Sequence, residues 1–342
     1  DILSKRVIAW LSNSKLTYED SSNNYKEKFN NIIQKQINHL INEIQRSEWI
    51  DDKMIGCSAI ILAGLSYKDE PKYLDFGLNL LKKIIKFSFD NNGFPKSRNV
   101  RQLTFYLKYF VLIREWLKES QSDIPEYIDE SIYYLGQSYY LLWQSIKKSI
   151  LFNGNHEFDN TDFDNYLSRL GYKFKNKNNE SGGYSVLKNN KISLIMDIGS
   201  PPEKKFSNDY QSGALSFEIL SGDKKIISNS GYFQNYKHQL NYVSKSTAAH
   251  NTLIIDSNSS CKLRKKNNNQ SAIEQGLKIT KKSIIFEKNY WSIVSAHDGY
   301  SKQYGVIHDR QIEFFSETYK FVGTDQIIKK RNFKSSNFEI RF

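Results

Sequence analysis

The chain has 342 residues and a mass of 40.0 kDa, which predicts about two domains and a sizeable buried core. Hydrophobic residues make up 39% and charged residues 25%, which excludes a disordered chain, a collagen and a disulfide-stapled miniprotein. No apolar run reaches the roughly 18 residues that a membrane span needs, so we expect no transmembrane segment.

The net charge of +12 is unevenly distributed along the chain. Residues 201–342 carry 22 Lys and Arg against 13 Asp and Glu, a net of +9, whereas residues 1–150 carry 21 against 18. A basic balance is typical of a protein with an acidic partner, such as nucleic acid, anionic lipid or an acidic polysaccharide. It also follows from the Asn, Lys and Ile usage of an AT-rich genome, but a uniform bias does not by itself explain the asymmetry.

The first half of the chain has the apolar spacing of amphipathic helices. In 24–46 the apolar residues recur every three or four positions, as on one face of a helix. The same reasoning predicts further helices over 51–66, 71–89, 101–120 and 126–148. Helical hairpins of this kind can form a bundle, an open solenoid or an α/α toroid, and periodicity does not choose among them. No repeat of fixed length is visible, which weakens a regular solenoid.

The second half has the period of β-strands. Residues 151–182, rich in Asn, Asp, Gly and Lys, are predicted to be a connector. From residue 183 the apolar period drops to two, which predicts strands over 191–197, 214–220, 225–228, 251–256, 283–287, 290–296, 304–315 and 318–325. Because no helices intervene between most of these strands, we expect an antiparallel β-sandwich.

The resulting prediction is an α+β multidomain chain. It has a helical domain over 1–150, the connector, and a β-sandwich over 183–342. The final residues, 337–342, again alternate like a strand, so we expect a fragment that is incomplete at its C-terminus.

Local motifs of common enzymes and nucleic-acid-binding proteins are absent from the sequence. There is no HExxH, GxSxG, GxGxxG or phosphate-binding loop. Cys57 and Cys261 are far apart and are expected to be unpaired thiols. Basic runs at 262–266 and 329–331 are interpreted as solvated loops, because they lack the interleaved aromatic residues of a single-strand nucleic-acid platform. We therefore expect no nucleic-acid partner.

One segment is more specific. His250 directly precedes a predicted strand, and spacing alone favours a structural role for it. However, the whole segment 246–256, STAAHNTLIID, resembles the most characteristic segment of the heparinase II/III-like family. Further resemblances follow in chain order at 6–12, 97–99, 213–219, 227–231, 297–300, 308–310 and 338–342. They span nearly the whole chain and are most specific in its β part.

This resemblance implies a fold, a reaction and a location. The fold is an N-terminal α/α toroid followed by an antiparallel β-sandwich. The chain is similar to a bacterial subgroup, and the resemblance implies a periplasmic or secreted protein, although no signal peptide is visible in the sequence. The implied activity is β-elimination on uronic-acid-containing polysaccharides, so the implied partner is an acidic polysaccharide.

The implied chemistry explains which residue types matter. An Asn, His or Arg neutralises the carboxylate beside C5, a Tyr or His removes the C5 proton, and a Tyr or His protonates the leaving oxygen. Carried over by position, the catalytic set is Arg98, Asn99, Asp209, Tyr236 and His250. Asp209 stands where the family often has a catalytic His. Arg98, Asn99 and Tyr236 are also the predicted substrate-binding residues.

Two of these assignments have alternatives. The acid/base tyrosine follows Asn229, where Tyr232, Tyr236 and Tyr242 all lie, and Tyr236 is our prediction; the other interpretation is an exposed loop tyrosine. Arg98 and Asn99 are natural partners of a sugar carboxylate, but Asn99 or the preceding Ser97 can equally cap a helix.

Many members of the family also hold a zinc ion with two His and one Asp. In this chain Gln211 and Asn229 stand at two of those positions, and only His250 keeps its ligand type. Amides are poor zinc ligands, so we predict that zinc is not tightly bound, that no cofactor is needed, and that Gln211 and Asn229 hydrogen-bond His250 instead. These departures, with Asp209, support an alternative function: a carbohydrate-binding or glycan-processing protein that keeps the fold without elimination.

Overall fold

The computed structural model describes residues 1–265 and 270–342, and the chain forms two compact units. The first consists of Asp1–Gly93 and Thr104–Leu135, and the second of Phe94–Leu103 and Gly136–Phe342. Both units are therefore discontinuous in sequence. The domain limits predicted above, 1–150, 151–182 and 183–342, remain predictions, and the compact units divide the chain at other points.

Helices dominate the first third of the chain, as the apolar spacing predicts. The α-helices of the described residues are α1 Ile2–Ser12, α2 Ser14–Thr17, α3 Asn23–Glu43, α4 Ile50–Ser66, α5 Pro71–Ser88, α6 Val100–Glu119, α7 Glu126–Tyr139, α8 Thr161–Arg169, α9 Gln239–Ser244 and α10 Ser301–Tyr304. The five predicted helices correspond to α3 to α7. None of the helices in the described ranges is long and apolar enough to cross a membrane.

Helices α4 and α5 form a close helical hairpin in the first unit. Pro71 begins α5, where its missing N–H costs nothing. The two helices approach so closely that a Cβ on Gly77 would lie 2.6 Å from Ile61 Cγ1, and one on Gly64 would lie 2.4 Å from the Leu74 nitrogen. Glycine at these two positions therefore sets the spacing of the hairpin.

The predicted connector contains a helix that periodicity did not indicate. Helix α8 is short and polar, and such helices are marginal without tertiary support. Its Asp164 supplies that support by accepting hydrogen bonds from Tyr139 at 3.0 Å, Trp143 at 3.0 Å and Gln144 at 2.8 Å. The same region explains why α7 ends at Tyr139 and not near residue 148, because it passes into a π-helical turn over Tyr140–Gln144.

The strands form antiparallel sheets in the second unit. The strands are β1 Glu180–Ser181, β2 Tyr184–Lys188, β3 Ile192–Asp197, β4 Phe217–Ser221, β5 Lys224–Ile227, β6 Leu253–Ile255, β7 Lys262–Lys265, β8 Ser271–Gln275, β9 Ile279–Phe286, β10 Tyr290–His297, β11 Val306–Phe315, β12 Lys320–Lys329 and β13 Phe338–Ile340. One sheet has the order β1-β2-β3-β4-β5 and another the order β12-β11-β10-β9. Two-stranded sheets pair β13 with β6 and β7 with β8.

A shared hydrophobic core joins the two larger sheets. Leu194 and Phe217 come from the five-stranded sheet, and Trp291, Ile312 and Phe314 come from the four-stranded sheet, all within one buried cluster. Apolar residues at alternate positions of both sheets thus face one another across this cluster, as in a β-sandwich. The predicted α+β architecture with an antiparallel β-sandwich is therefore confirmed.

The structure differs from the sequence predictions at the start of β4 and in the two basic runs. Strand β4 begins at Phe217, not at residue 214, because Leu215 has a positive φ of 63°, which no regular strand residue adopts. The basic run at 262–266 is not a loop over its first four residues, which form β7, and Lys266 lies outside the described residues. In the other run, Lys329 still belongs to β12.

Cys57 and Cys261 are free, buried thiols, as predicted.

Candidate active site

Arg98 belongs to the second unit and is buried there. Its side chain donates from Nη2 to Asp197 Oδ1 at 2.6 Å and to the Gly183 carbonyl at 3.1 Å. Nε donates to the Gly182 carbonyl, and Nη1 donates to two further backbone carbonyls, those of residues 199 and 200. All five N–H groups of the guanidinium are therefore engaged within the chain.

This arrangement makes Arg98 part of the scaffold. Burial alone would lower the pKa of Arg98, but the Asp197 carboxylate outweighs it and raises that pKa above its ordinary value. The guanidinium also lies 4.7 Å from the ring centroid of Tyr184, whose hydroxyl donates to the Arg98 carbonyl at 2.6 Å. Direct contact with a sugar carboxylate, as the sequence predicted, is not supported by a guanidinium whose donors are all used.

Asn99 caps a helix, which was one of its two predicted roles, and it also contacts Asp209, while its contact with a sugar carboxylate stays a prediction. Its Oδ1 accepts from the backbone nitrogen of Arg101 at 2.9 Å and caps the start of α6. Its Nδ2 donates to Asp209 Oδ2 at 3.0 Å. The side chain is almost completely buried, so the cap fixes the direction in which Asn99 presents its amide to Asp209.

Asp209 and Tyr232 form a hydrogen-bonded pair beside Asn99. The Tyr232 hydroxyl donates to Asp209 Oδ1 at 3.0 Å, so each carboxylate oxygen of Asp209 has a partner. Burial is the main reason why the pKa of Tyr232 is raised, and the Asp209 carboxylate adds to it. Tyr232 is therefore a neutral phenol at ordinary pH, suited to donate a proton, next to a half-buried carboxylate that can accept one.

The predicted tyrosine, Tyr236, does not join this pair. It lies in the turn before α9 and is 40% exposed, and Tyr242 on α9 is 54% exposed. Of the three candidate tyrosines, Tyr232 is the one that the fold brings to Asp209. Periodicity could not separate them, because none of the three lies in a strand with a defined inward face.

Two cations lie near Tyr232. Lys245 is buried, and its ammonium lies 5.6 Å from the Tyr232 ring centroid and 3.1 Å from Ser271 Oγ. Arg101 is partly exposed, and its charge lowers the pKa of Tyr232 against the larger effect of burial. Arg101 also lowers the pKa of His156, after the larger effect of burial, so this guanidinium influences two neighbouring groups.

His250 has a hydrogen-bond partner different from those of the Asp209–Tyr232 pair. Its Nδ1 is 3.2 Å from Asn229 Oδ1, as expected for an amide that replaces a metal ligand, and no group of the described residues hydrogen-bonds its Nε2. Burial lowers the pKa of His250 to about 4, and the Ser244 carbonyl opposes this shift only in part. The ring is therefore neutral near pH 7. Within the described ranges, no hydrogen bond joins it to Asp209 or Tyr232.

Gln211 does not hydrogen-bond His250, which corrects one half of that prediction. Its Nε2 donates to the carbonyls of Gly231 at 3.0 Å and Ser244 at 2.7 Å, and its Oε1 accepts from the Gly154 nitrogen at 3.1 Å. Backbone groups thus hold this amide completely. Gln211 stabilises the loop structure around the candidate site and has no free oxygen directed at a metal.

The residues present do not fit the zinc ion that the family resemblance implies. His250 Nε2 is an available imidazole nitrogen, but Gln211 is committed to the backbone and the Asn229 oxygen lies against His250 Nδ1. In the described part of the chain, no three His, Cys, Asp or Glu side chains are grouped so that they could hold a metal ion. Weak zinc binding remains a prediction that this donor set favours.

A buried carboxylate next to Asn229 was missed by the sequence analysis. Glu218 Oε1 accepts from the backbone nitrogens of Leu151 and Asn229, both at 3.1 Å. Burial raises the pKa of Glu218, and Lys225 opposes that shift from 4.0 Å. The available signal was a charged residue inside the otherwise apolar strand β4, which is rare without a local partner.

Comparison with known proteins supports the fold independently. Residues 174–342 match the family model described as Heparinase II/III-like, C-terminal. No curated protein matches the chain.

Among solved structures, the heparan sulfate lyase HepC mutant from Pedobacter heparinus has a TM-score of 0.74 and 15% identity, covering 96% of this chain and 53% of that one. The structure of heparinase III has a TM-score of 0.72 and 16% identity, covering 96% and 55%. The heparinase III-BT4657 gene product has a TM-score of 0.75 and 15% identity, covering 95% and 53%. The chain thus spans about half the length of these proteins. It belongs to the heparinase II/III-like family, whose C-terminal domain it carries over residues 174–342.

Proposed function

We propose that this chain is part of a polysaccharide lyase-like enzyme that cleaves a uronic-acid-containing glycan by β-elimination. The observation that carries this proposal is the hydrogen-bonded series Asn99, Asp209 and Tyr232, in which both links measure 3.0 Å. The lyases among its structural neighbours and the basic C-terminal part of the chain support the same substrate class.

β-Elimination needs one protein group that accepts a proton and one that donates a proton, and both must reach the same sugar residue. Asp209 removes the proton from C5, and the electron pair forms the C4–C5 double bond as the C4–O bond breaks. Tyr232, neutral because its pKa is raised, gives its phenolic proton to the departing oxygen. The proton on Asp209 then passes to the phenolate across the hydrogen bond between them, which restores both groups.

The remaining residues have supporting roles. Asn99 orients Asp209 through Nδ2 and is itself fixed by the helix cap. Arg101 supplies the positive charge that offsets the uronate carboxylate, which replaces the direct role predicted for Arg98. Burial of the substrate carboxylate beside this cation would make the C5 proton more acidic.

The alternative is a glycan-binding protein without elimination activity. One observation favours it: Asp209 adds a negative charge where the family often has an imidazole, and this charge opposes a uronate carboxylate. In that case the site would bind glycan chains through Arg101 and the surrounding cations and release them unchanged.

Product absorbance separates the two proposals. Heparan sulfate, hyaluronan and alginate are each incubated with the protein, and the ultraviolet absorbance of the unsaturated uronate is followed, with Tyr232→Phe as the matched inactive control. Absorbance that depends on Tyr232 supports the lyase. Binding to an acidic glycan without any absorbance on the three polymers contradicts it and supports the binding protein.

A further inference from the structure

His156 lies on a short turn that packs against two residues of the candidate active site. The Asn155 carbonyl accepts a hydrogen bond from the Tyr232 backbone nitrogen at 2.7 Å. Gly154 lies so close to Asn99 that a Cβ at this position would be 2.5 Å from Asn99 Cγ. His156 directly follows these two turn residues and, unlike them, is partly exposed. The turn therefore places an accessible imidazole beside the candidate site.

Gln234 contacts His156 in a way that favours a neutral ring. Gln234 is two residues beyond Tyr232, and its Nε2 lies 2.6 Å from His156 Nδ1 and 2.9 Å from His156 Nε2. An amide nitrogen only donates, so it needs a ring nitrogen that carries a lone pair. A neutral imidazole offers one lone pair, and an imidazolium offers none. Because the Gln234 side chain is exposed, it can turn its oxygen toward the ring when a proton is added.

The charged groups around His156 also favour the neutral ring. Burial is the main reason why the pKa of His156 is lowered, and the guanidinium of Arg101 lowers it further. Glu157 opposes these effects, but its carboxylate is paired with Lys225 at 2.6 Å. An anion that binds beside Arg101 would offset the positive charge that acts on the ring and would itself favour the imidazolium. The bound anion and the proton on His156 therefore stabilise each other.

Arg101 connects this turn with the position of the substrate. Its backbone nitrogen donates to Asn99 Oδ1 at 2.9 Å, and its charge acts on Tyr232 as well as on His156. We propose that Arg101 and His156 form one subsite for the carboxylate or sulfate group of an acidic sugar, and that His156 takes up a proton when this group binds. The inference rests on the function proposed above, because it takes the glycan as bound beside Tyr232. It adds a second residue that selects anionic sugars and couples their binding to pH.

Proton uptake determines the direction of the pH dependence. In the proposed complex the pKa of His156 is higher than in the free protein. The affinity for an acidic sugar is therefore greatest below the free-protein pKa and decreases as the pH rises through the pKa of the complex. Each unit by which binding raises this pKa adds about a tenfold difference in affinity between the two limits. The affinity for a neutral sugar should not change over the same range.

Calorimetry at about pH 6.5, in two buffers of different ionisation enthalpy, counts the protons taken up on binding. The probes are a hyaluronan hexasaccharide, which carries carboxylates only, a keratan sulfate hexasaccharide, which carries sulfates without uronate, and neutral cellohexaose. An Asp209→Asn background prevents cleavage and removes a second group that is able to take up a proton. We expect roughly half a proton per bound acidic oligosaccharide and none with cellohexaose. Uptake with either acidic probe supports the subsite and identifies which anion it accepts.

Two histidine variants locate the proton. His156→Gln should abolish the uptake and weaken acidic binding about three- to tenfold below pH 6, with a melting temperature within about 2 °C because the ring is partly exposed. His238→Asn is the matched control. His238 Nδ1 accepts from the Leu240 nitrogen at 3.1 Å and caps α9, a role that Asn also fills, so this variant removes a neighbouring exposed imidazole and should keep the uptake. Uptake that persists in His156→Gln, disappears in His238→Asn, or is equal with cellohexaose would overturn the proposal.

Nuclear magnetic resonance titration of the His156 imidazole measures the same effect directly. Its pKa should rise by about one unit or more when the acidic hexasaccharide is bound. An unchanged pKa contradicts the subsite, as does failure of both acidic probes to bind. Ultraviolet product without proton uptake would refute this subsite and leave the lyase standing. Proton uptake without ultraviolet product would refute the lyase alone.

Discussion

The guanidinium of Arg98 donates to the carboxylate of Asp197 at 2.6 Å, and both side chains are buried although they lie 99 positions apart in the sequence. The pair ties the segment before α6 to the end of β3. It is the reason why a residue that resembled a substrate contact is instead part of the scaffold.

Replacing Arg98 should destabilise the protein. Arg98→Ala leaves Asp197 buried without its partner, which costs about 3–5 kcal/mol for a pair of this kind. Arg98→Lys should recover only a small part, because an ammonium cannot reproduce five donors to Asp197 and four carbonyls. Urea unfolding measures the change. A stable Arg98→Ala protein with weakened glycan affinity would instead support the direct contact predicted from the sequence.

Tyr232 and Tyr236 should differ sharply in their effect on activity. Tyr232→Phe removes the phenolic proton next to Asp209 and should lower kcat by about 10²- to 10⁴-fold. Tyr236→Phe removes an exposed hydroxyl. Because this group lies outside the candidate site, the substitution should change kcat by no more than about a factor of two. Initial rates of unsaturated product give both values. The reverse order of effects would restore Tyr236 as the acid/base residue.

Asp209 should be required for cleavage. Asp209→Asn removes the proton acceptor and is expected to lower kcat by about 10²-fold or more, with its hydrogen bond to Tyr232 kept through the amide oxygen. Asp209→His introduces another proton acceptor, the residue that the family often has at this position, and should recover part of the lost rate. Full activity of the Asn variant would show that the carboxylate is not the base.

Stability should fall in mild acid because of His250. Its pKa is about 4 in the folded protein against 6.5 for the free side chain, so the unfolded state binds a proton first as the pH falls. The stabilisation is complete above pH 6.5 and decreases toward pH 4, by about 3 kcal/mol in total. His250→Gln should remove this part of the slope, whereas His39→Gln on the exposed face of α3 should not. Identical pH profiles for the two variants would refute the assignment.

Zinc content should respond to the ligand residues. The purified protein is expected to hold far less than one zinc ion per chain, because Gln211 and Asn229 supply amides beside His250. The double substitution Gln211→His and Asn229→Asp supplies an imidazole and a carboxylate and should produce a zinc site measurable by elemental analysis and thermal stabilisation. Stoichiometric zinc in the unmodified protein would prove the ligand argument wrong.

Helix and strand types were predictable where long periodic patterns exist, as in α3, α5 and β10. Local departures from these patterns were not predictable, because they depend on contacts with residues far away in the sequence. Leu215 has positive φ, and its carbonyl accepts from Arg310, a residue 95 positions later. For the candidate site, the separate segments that carry Asn99, Asp209 and His250 were selected by resemblance. The choice of Tyr232 over Tyr236 required knowledge of which hydroxyl reaches Asp209, and spacing along a loop does not contain that information.

The short segment Phe94–Leu103 has a further consequence for how the protein is made and dissected. It is synthesised before Thr104–Leu135 yet belongs with the residues that follow position 135. The second unit therefore cannot be completed until β3 has left the ribosome and Asp197 is available to Arg98, so the order of synthesis differs from the order of assembly. A gene fragment starting at residue 136 or 183 would encode every sheet strand after that point but lack Arg98 and Asn99, and excision at such a boundary would yield an incomplete module.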